Sequence, residues 1–155
     1  MDPNYPLHAP LHLAAKGCDL ELVTKMIEGG DSDVAVWPVN VTDNAGWVAL
    51  HEAAGNSCPF HGPAILEYLL EQGGDVDAKK WDADTPLHDA SAKGRKRNVE
   101  ILLRHGANPS ATNIYGKTPL DLATKPEIKD ILEKAQEERR VRLGLPPIPL
   151  IEGPF

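Results

Sequence analysis

Apolar and polar positions alternate along this chain in a phrase that returns four times. APLHLAAKG (9–17), VALHEAAGN (48–56), TPLHDASAKG (85–94) and TPLDLATKP (118–126) are versions of one motif. After the first three comes an apolar stretch with helical spacing, LELVTKMIEGG, AILEYLLEQGG and VEILLRHGA, and then a short polar link such as DVDAKK or NPSATN. Apolar residues three and four apart mark one face of a helix, so each unit predicts a pair of short helices. Ala14, Ala53 and Ala90 in the first helices, with Leu69, Leu70, Leu102 and Leu103 in the second, are the expected shared core. The paired glycines at 29–30 and 73–74 stop helices, as residues that accept a left-handed backbone do.

The copies are not evenly spaced. His12 to His51 is 39 residues, His51 to His88 is 37, and His88 to Asp121 is 33. The motif TPLHxA at a period of about 33 residues resembles the ankyrin repeat, over roughly residues 7 to 133. The resemblance implies an all-α solenoid of about four helix-turn-helix repeats with short β-hairpin tips. Repeats are expected near 7–42, 43–79, 80–112 and 113–133, making 1–133 the repeat domain. A charged helical extension (134–144) and an apolar, proline-rich tail (145–155) follow. The extra residues fall in DSDVAVWPVN (31–40) and in GNSCPFHGP (55–63), and insertions of this kind map to loops. The resemblance also implies that His12, His51 and His88 are architectural, tying one repeat to the next through backbone hydrogen bonds. Asp121 replaces the histidine in a clipped fourth repeat that looks like a cap with a polar outer face. The tail reads as an extended strap on the domain or on a partner, and Pro146 to Pro149 also forms a PxxP spacing.

Charge changes the picture once it is located. The formal net charge of −7 lies entirely in residues 43 to 89, where nine carboxylates face Lys79 and Lys80. Such a field attracts cations and repels phosphate, so direct nucleic-acid binding through this region is not expected. No run is long enough to span a membrane, and the N-terminus lacks the pattern of a signal peptide. With two cysteines, Cys18 and Cys58, and no CxxC, the chain fits a reducing, intracellular setting. Sequence alone leaves open whether the two pair.

Catalytic candidates do not assemble. Cys58 and His61 supply two zinc ligands where four are needed, and as a thiol catalyst they lack an orienting third group. Glu52 adjoins His51, but neighbouring helix residues point in different directions. No glycine loop cradles phosphate. The expectation is no enzyme, no metal and no cofactor.

Register instead points to a groove. One position after the motif histidine stand Leu13, Glu52, Asp89 and Leu122; four positions before it stand His8, Trp47, Asp84 and Lys117. Both positions face the concave side of an ankyrin stack. Trp47 among Asp43, Glu52, Asp84 and Asp89 has the makings of a cation notch, since an aromatic face and carboxylates both favour an ammonium or guanidinium group. Trp81 on the next tip extends that wall. DNAGWVALHEA followed one repeat later by DADTPLHDA resembles the paired signature of a nuclear ankyrin group. That group includes the Tonsoku-like and BARD-type proteins and ankyrin subunits of fungal histone-deacetylase complexes. The resemblance implies that Asp43, Trp47, Glu52 and Asp89 line an acidic groove for a lysine-bearing core-histone tail. The group's asparagine falls in register on Gly55, with Asn56 beside it as the candidate counterpart. The expected function is a monomeric, chromatin-associated, nuclear binding module for a basic peptide. The alternative is a scaffold subunit of a corepressor or histone-deacetylase complex, held through the insertion loops and the tail.

Overall fold

The computed structural model describes residues 10–30 and 33–147. Among them are eight helices and no strand: α1 (Pro10–Lys16), α2 (Leu20–Glu28), α3 (Ala49–Gly55), α4 (His61–Glu71), α5 (Pro86–Ala92), α6 (Lys96–Arg104), α7 (Pro119–Leu122) and α8 (Pro126–Arg142). The recurring phrase forms α1, α3, α5 and α7. In three of these a proline opens the first turn, where its missing N–H would have had no helical partner. The apolar stretches form α2, α4 and α6.

Two rows result. The short helices stack α1 on α3 on α5 on α7, and the longer ones α2 on α4 on α6 on α8. Alanines make the close stacking possible: Ala15, Ala53, Ala54 and Ala90 are wholly or almost wholly buried between neighbours. Leu66, Leu69, Leu102 and Leu132 fill the space between the rows. Leu103 only packs against this core from its margin.

The histidines join the units as expected. Nε2 of His12 lies 2.6 Å from the Trp47 carbonyl, that of His51 3.2 Å from Asp84, and that of His88 2.9 Å from Lys117. Trp47, Asp84 and Lys117 hold the same place in successive tips. Nδ1 of His51 and of His88 accepts the backbone N–H at its own helix start, from Val48 and Thr85. Asp121 keeps only the local half of this arrangement, accepting from the Thr118 N–H at 2.9 Å. That bond holds its carboxyl below the usual carboxylate range.

The tips differ from the β-hairpins expected of them. Each is a turn crossed by a backbone bond, Asp43 N–H to Trp47 O, Lys80 N–H to Asp84 O and Asn113 N–H to Lys117 O. One further bond joins each tip to the next, Trp81 N–H to Ala45 O and Ile114 N–H to Asp82 O. So few bonds per tip leave no ladder to propagate.

The insertion loops fold back on the scaffold. In the first, residues 31–32 lie outside the described residues, while Trp37 donates its N–H to Met26 O at 2.7 Å and packs on the core margin. The second runs from the end of α3 to α4. His8, and the tail beyond residue 147 with its PxxP and strap readings, lie outside the described residues.

Candidate functional site

The notch expected at Trp47 is built, and the chain fills it with its own lysine. Lys80 Nζ stands 4.0 Å from the centroid of the Trp47 ring, 2.8 Å from Asp89 Oδ1 and 3.8 Å from Asp84 Oδ2. Only 8% of Lys80 is exposed, and the same holds for Asp89. A buried ammonium needs both a counter-ion and a polarisable face, and this arrangement supplies the two together.

Why Lys80 turns inward follows from the tips. Asp43 and Asn113 occupy its place in the neighbouring tips, and each closes its turn with a side-chain oxygen. Asp43 Oδ1 accepts from the Ala45 and Trp47 N–H groups, and Asn113 Oδ1 from those of Tyr115 and Lys117. A lysine has no acceptor to offer. In its tip Asp82 accepts from the Asp84 N–H instead, and the Lys80 side chain is released into the notch. A lysine at a position otherwise held by Asp or Asn is the mark this residue leaves in the sequence.

The remaining candidates separate. Trp47, Glu52, Asn56 and Asp89 line one cleft of about 280 Å³ between α3 and α5. Its far side is basic, formed by Lys16, Lys93 and Arg95. Asp43 is engaged in its turn, and Asp84 accepts from Asn113 Nδ2 at 2.9 Å; neither lines this cleft. Trp81 is 65% exposed on its tip and stands apart from the cleft.

Asn56 does structural work. Its Nδ2 donates to the carbonyls of Ala15 and Lys16, while Oδ1 accepts from the Cys58 N–H and the Cys18 thiol. With both ends of the amide occupied, it pins the second insertion to the first repeat and has little left for a ligand.

The two carboxylates of the cleft differ in access. Glu52 is half-buried and forms no hydrogen bond or ion pair among the described residues. Asp89 Oδ2 is buried without a partner. Burial pushes the Asp89 carboxyl up to about 6 against the pull of Lys80. His51, beneath the Trp47 ring edge, is held down at about 4 by burial and then by the Lys80 charge. The imidazole is therefore neutral at pH 7, free to keep its two architectural bonds. Chemically the cleft can seat a hydrogen-bonding cation on its acidic side and an anion on its basic rim.

Comparison with known proteins places this geometry in a family. Residues 45–81 match the model described as Ankyrin repeat, and residues 69–123 the model described as Ankyrin repeats (many copies). BCL-6 corepressor-like protein 1 of Homo sapiens is 37% identical over 94 residues, 61% of this chain and 5% of that protein. SMC5-SMC6 complex localization factor protein 1 of Homo sapiens is 37% identical over 97 residues, 61% of this chain and 9% of that protein. Ankyrin repeat and SOCS box protein 11 of Danio rerio is 35% identical over 133 residues, 86% of this chain and 42% of that protein. The chain thus spans less than half the length of each of these relatives.

Proposed function

Given that the chain is built of ankyrin repeats, a scaffold that binds protein partners, we propose that its acidic cleft takes a basic peptide, with a core-histone tail as the leading candidate. The observation that carries the reading is the half-buried Glu52 carboxylate, which lines the cleft and is unengaged among the described residues. A ligand lysine or arginine sits over Glu52, because the face of Trp47 is already covered by Lys80. Asp43, Asp84 and Trp81 then act at longer range, through the field and the outer tips. The likeness to a corepressor-like protein and to a complex localization factor supports a chromatin-associated, nuclear role.

Titration of a labelled basic histone-tail peptide at low and moderate salt tests this reading. Binding should weaken as salt screens the cleft and should collapse in Glu52→Lys. No affinity at low salt would dispose of the tail-reading function. Undiminished binding by Glu52→Lys would remove the cleft from it.

A second reading is a scaffold subunit of a corepressor complex. The basic rim of Lys16, Lys93 and Arg95 favours it, since a cleft with both signs of charge suits a folded protein surface as well as a tail. Here charge reversal on the rim, Lys93→Glu with Arg95→Glu, weakens complex capture, and so does deleting residues 145–155; capture unchanged by both would remove this reading.

A further inference from the structure

We propose that Cys18 and Cys58 form a dithiol site that an anionic low-molecular-weight disulfide oxidises to an intramolecular bridge between the first repeat and the second insertion. The two cysteines are 40 residues apart in sequence, yet they meet at one amide oxygen. Cys18 Sγ lies 3.2 Å from Asn56 Oδ1, and the Cys58 N–H donates to the same oxygen at 2.9 Å. The two thiols also lie close enough for each to shift the other's ionisation. Opposite them, His61 Nδ1 lies 3.3 Å from the Cys18 carbonyl, so corner and loop are stitched on both sides.

The backbone marks Cys18 as unusual. It turns the corner between α1 and α2 at φ 61°, a left-handed conformation that side chains resist. The equivalent corner between α5 and α6 holds Gly94, at φ 68°. A thiol therefore stands where the fold calls for glycine, and it donates to the same amide oxygen that holds the Cys58 N–H.

The pair is divided chemically. Cys58 lies just before α4. The neighbouring Cys18 thiol, and after it the backbone N–H groups at the start of the helix, lower the Cys58 thiol below its ordinary value. Burial, followed by the contact with Cys58, raises the Cys18 thiol. Cys58 is thus the attacking thiolate and Cys18 the resolving thiol. Cys58 also opens on a surface hollow lined by Arg95, Lys96 and Arg97, which favours a reagent carrying carboxylates.

In the first step the Cys58 thiolate attacks one sulfur of the reagent. The reagent's S–S bond breaks, a mixed disulfide forms on Cys58, and one thiolate leaves and takes a proton from solvent. Cys18 then loses its proton to solvent, and its sulfur attacks the Cys58 sulfur and displaces the second thiolate. The protein gives up two electrons, and one external disulfide becomes two thiols. The proposal does not depend on the peptide-binding reading of the cleft.

Glutathione disulfide is the probe, applied to reduced wild type, Cys18→Gly and Cys58→Ser, with free-thiol titration and intact mass as readouts. Wild type should lose both thiols and carry no added glutathione. Cys18→Gly should retain one glutathione on Cys58, because no resolving thiol remains. Cys58→Ser should react roughly tenfold more slowly than Cys18→Gly. Glycine suits the left-handed corner, and a thermal melt of Cys18→Gly confirms that the variant is folded. A wild type that keeps a stable glutathione adduct, or whose thiols both stay free, would overturn the proposal. So would equal rates for the two single-cysteine variants.

Discussion

A lysine at position 80 changes the meaning of every charged residue around it. Without it, Asp89 would be a buried carboxylate with no counter-ion nearer than the cleft rim. Lys80→Met should therefore lower stability by roughly 3 kcal/mol at pH 7, the cost of stranding one partner of a buried pair, as urea denaturation would show. The two shifted groups beside Lys80 give opposite pH signatures. His51 is held at about 4 in the fold, so the unfolded chain binds the extra proton, and its contribution is lost as pH falls from 6.5 towards 4. Asp89 is raised to about 6, so the fold binds the extra proton there, and its contribution is lost as pH rises from 3.8 through 6. The two slopes oppose each other between pH 4 and 6. Asp89→Asn removes one of them, so the variant's stability relative to wild type should rise between pH 4 and 7, by roughly 2–3 kcal/mol. A flat difference across paired denaturation curves would mean that Asp89 does not titrate in this range. Ala83 offers a simpler case. It adopts φ 63° where the neighbouring tips have Gly46 and Gly116. Ala83→Gly should raise stability by about 1 kcal/mol, as relief of the left-handed strain exceeds the added chain entropy.

At the level of elements, the phrase and its helices were legible because their periods are local. Pro10, Pro86 and Pro119 open helices, and apolar residues at helical spacing bury one face. The tips were less legible. The resemblance implied short strands, whereas side-chain oxygens and single backbone bonds close turns there. Both insertions were found from spacing alone, but spacing says nothing of what a loop packs upon. The second is held largely by Asn56, a residue assigned in advance to peptide binding. Asn56→Ala should cost about 1 kcal/mol, since it removes the side-chain bonds that tie the loop to the first repeat. Amide exchange should accelerate in residues 56–60 before it does so in α5 or α6. Uniform acceleration across the chain would show instead that the loop has no independent anchor.

The described residues form a row of units whose core runs continuously from one unit to the next. Stability in such an array is passed along from interface to interface. Leu132 on α8 is wholly buried against the last of these interfaces. Leu132→Ala should cost about 3 kcal/mol, with exchange rising most in α6 to α8 and fading towards α1 and α2. Equal loosening throughout would indicate one all-or-none unit. At this scale charge also takes its final form. A surplus of −7 confined to the middle of the chain announces an acidic face, yet the folded cleft has a basic rim brought in by Lys16 from the first repeat and by Lys93 and Arg95 from the third. Both signs of charge consequently stand within one cleft.

The sequence by itself determined the repeat, the helix pairs, the linking role of the histidines and the acidic middle of the chain. These depend on spacing, and spacing is written along the chain. Only the tertiary structure decided that Lys80 occupies the notch, that Asn56 is an anchor, and that Cys18 meets Cys58. Each of these depends on which side chain reaches a given point first, and that is settled by turn geometry and by contacts between repeats. In the cation notch the occupant came from the chain itself, leaving Glu52 as the unengaged carboxylate of the cleft among the described residues.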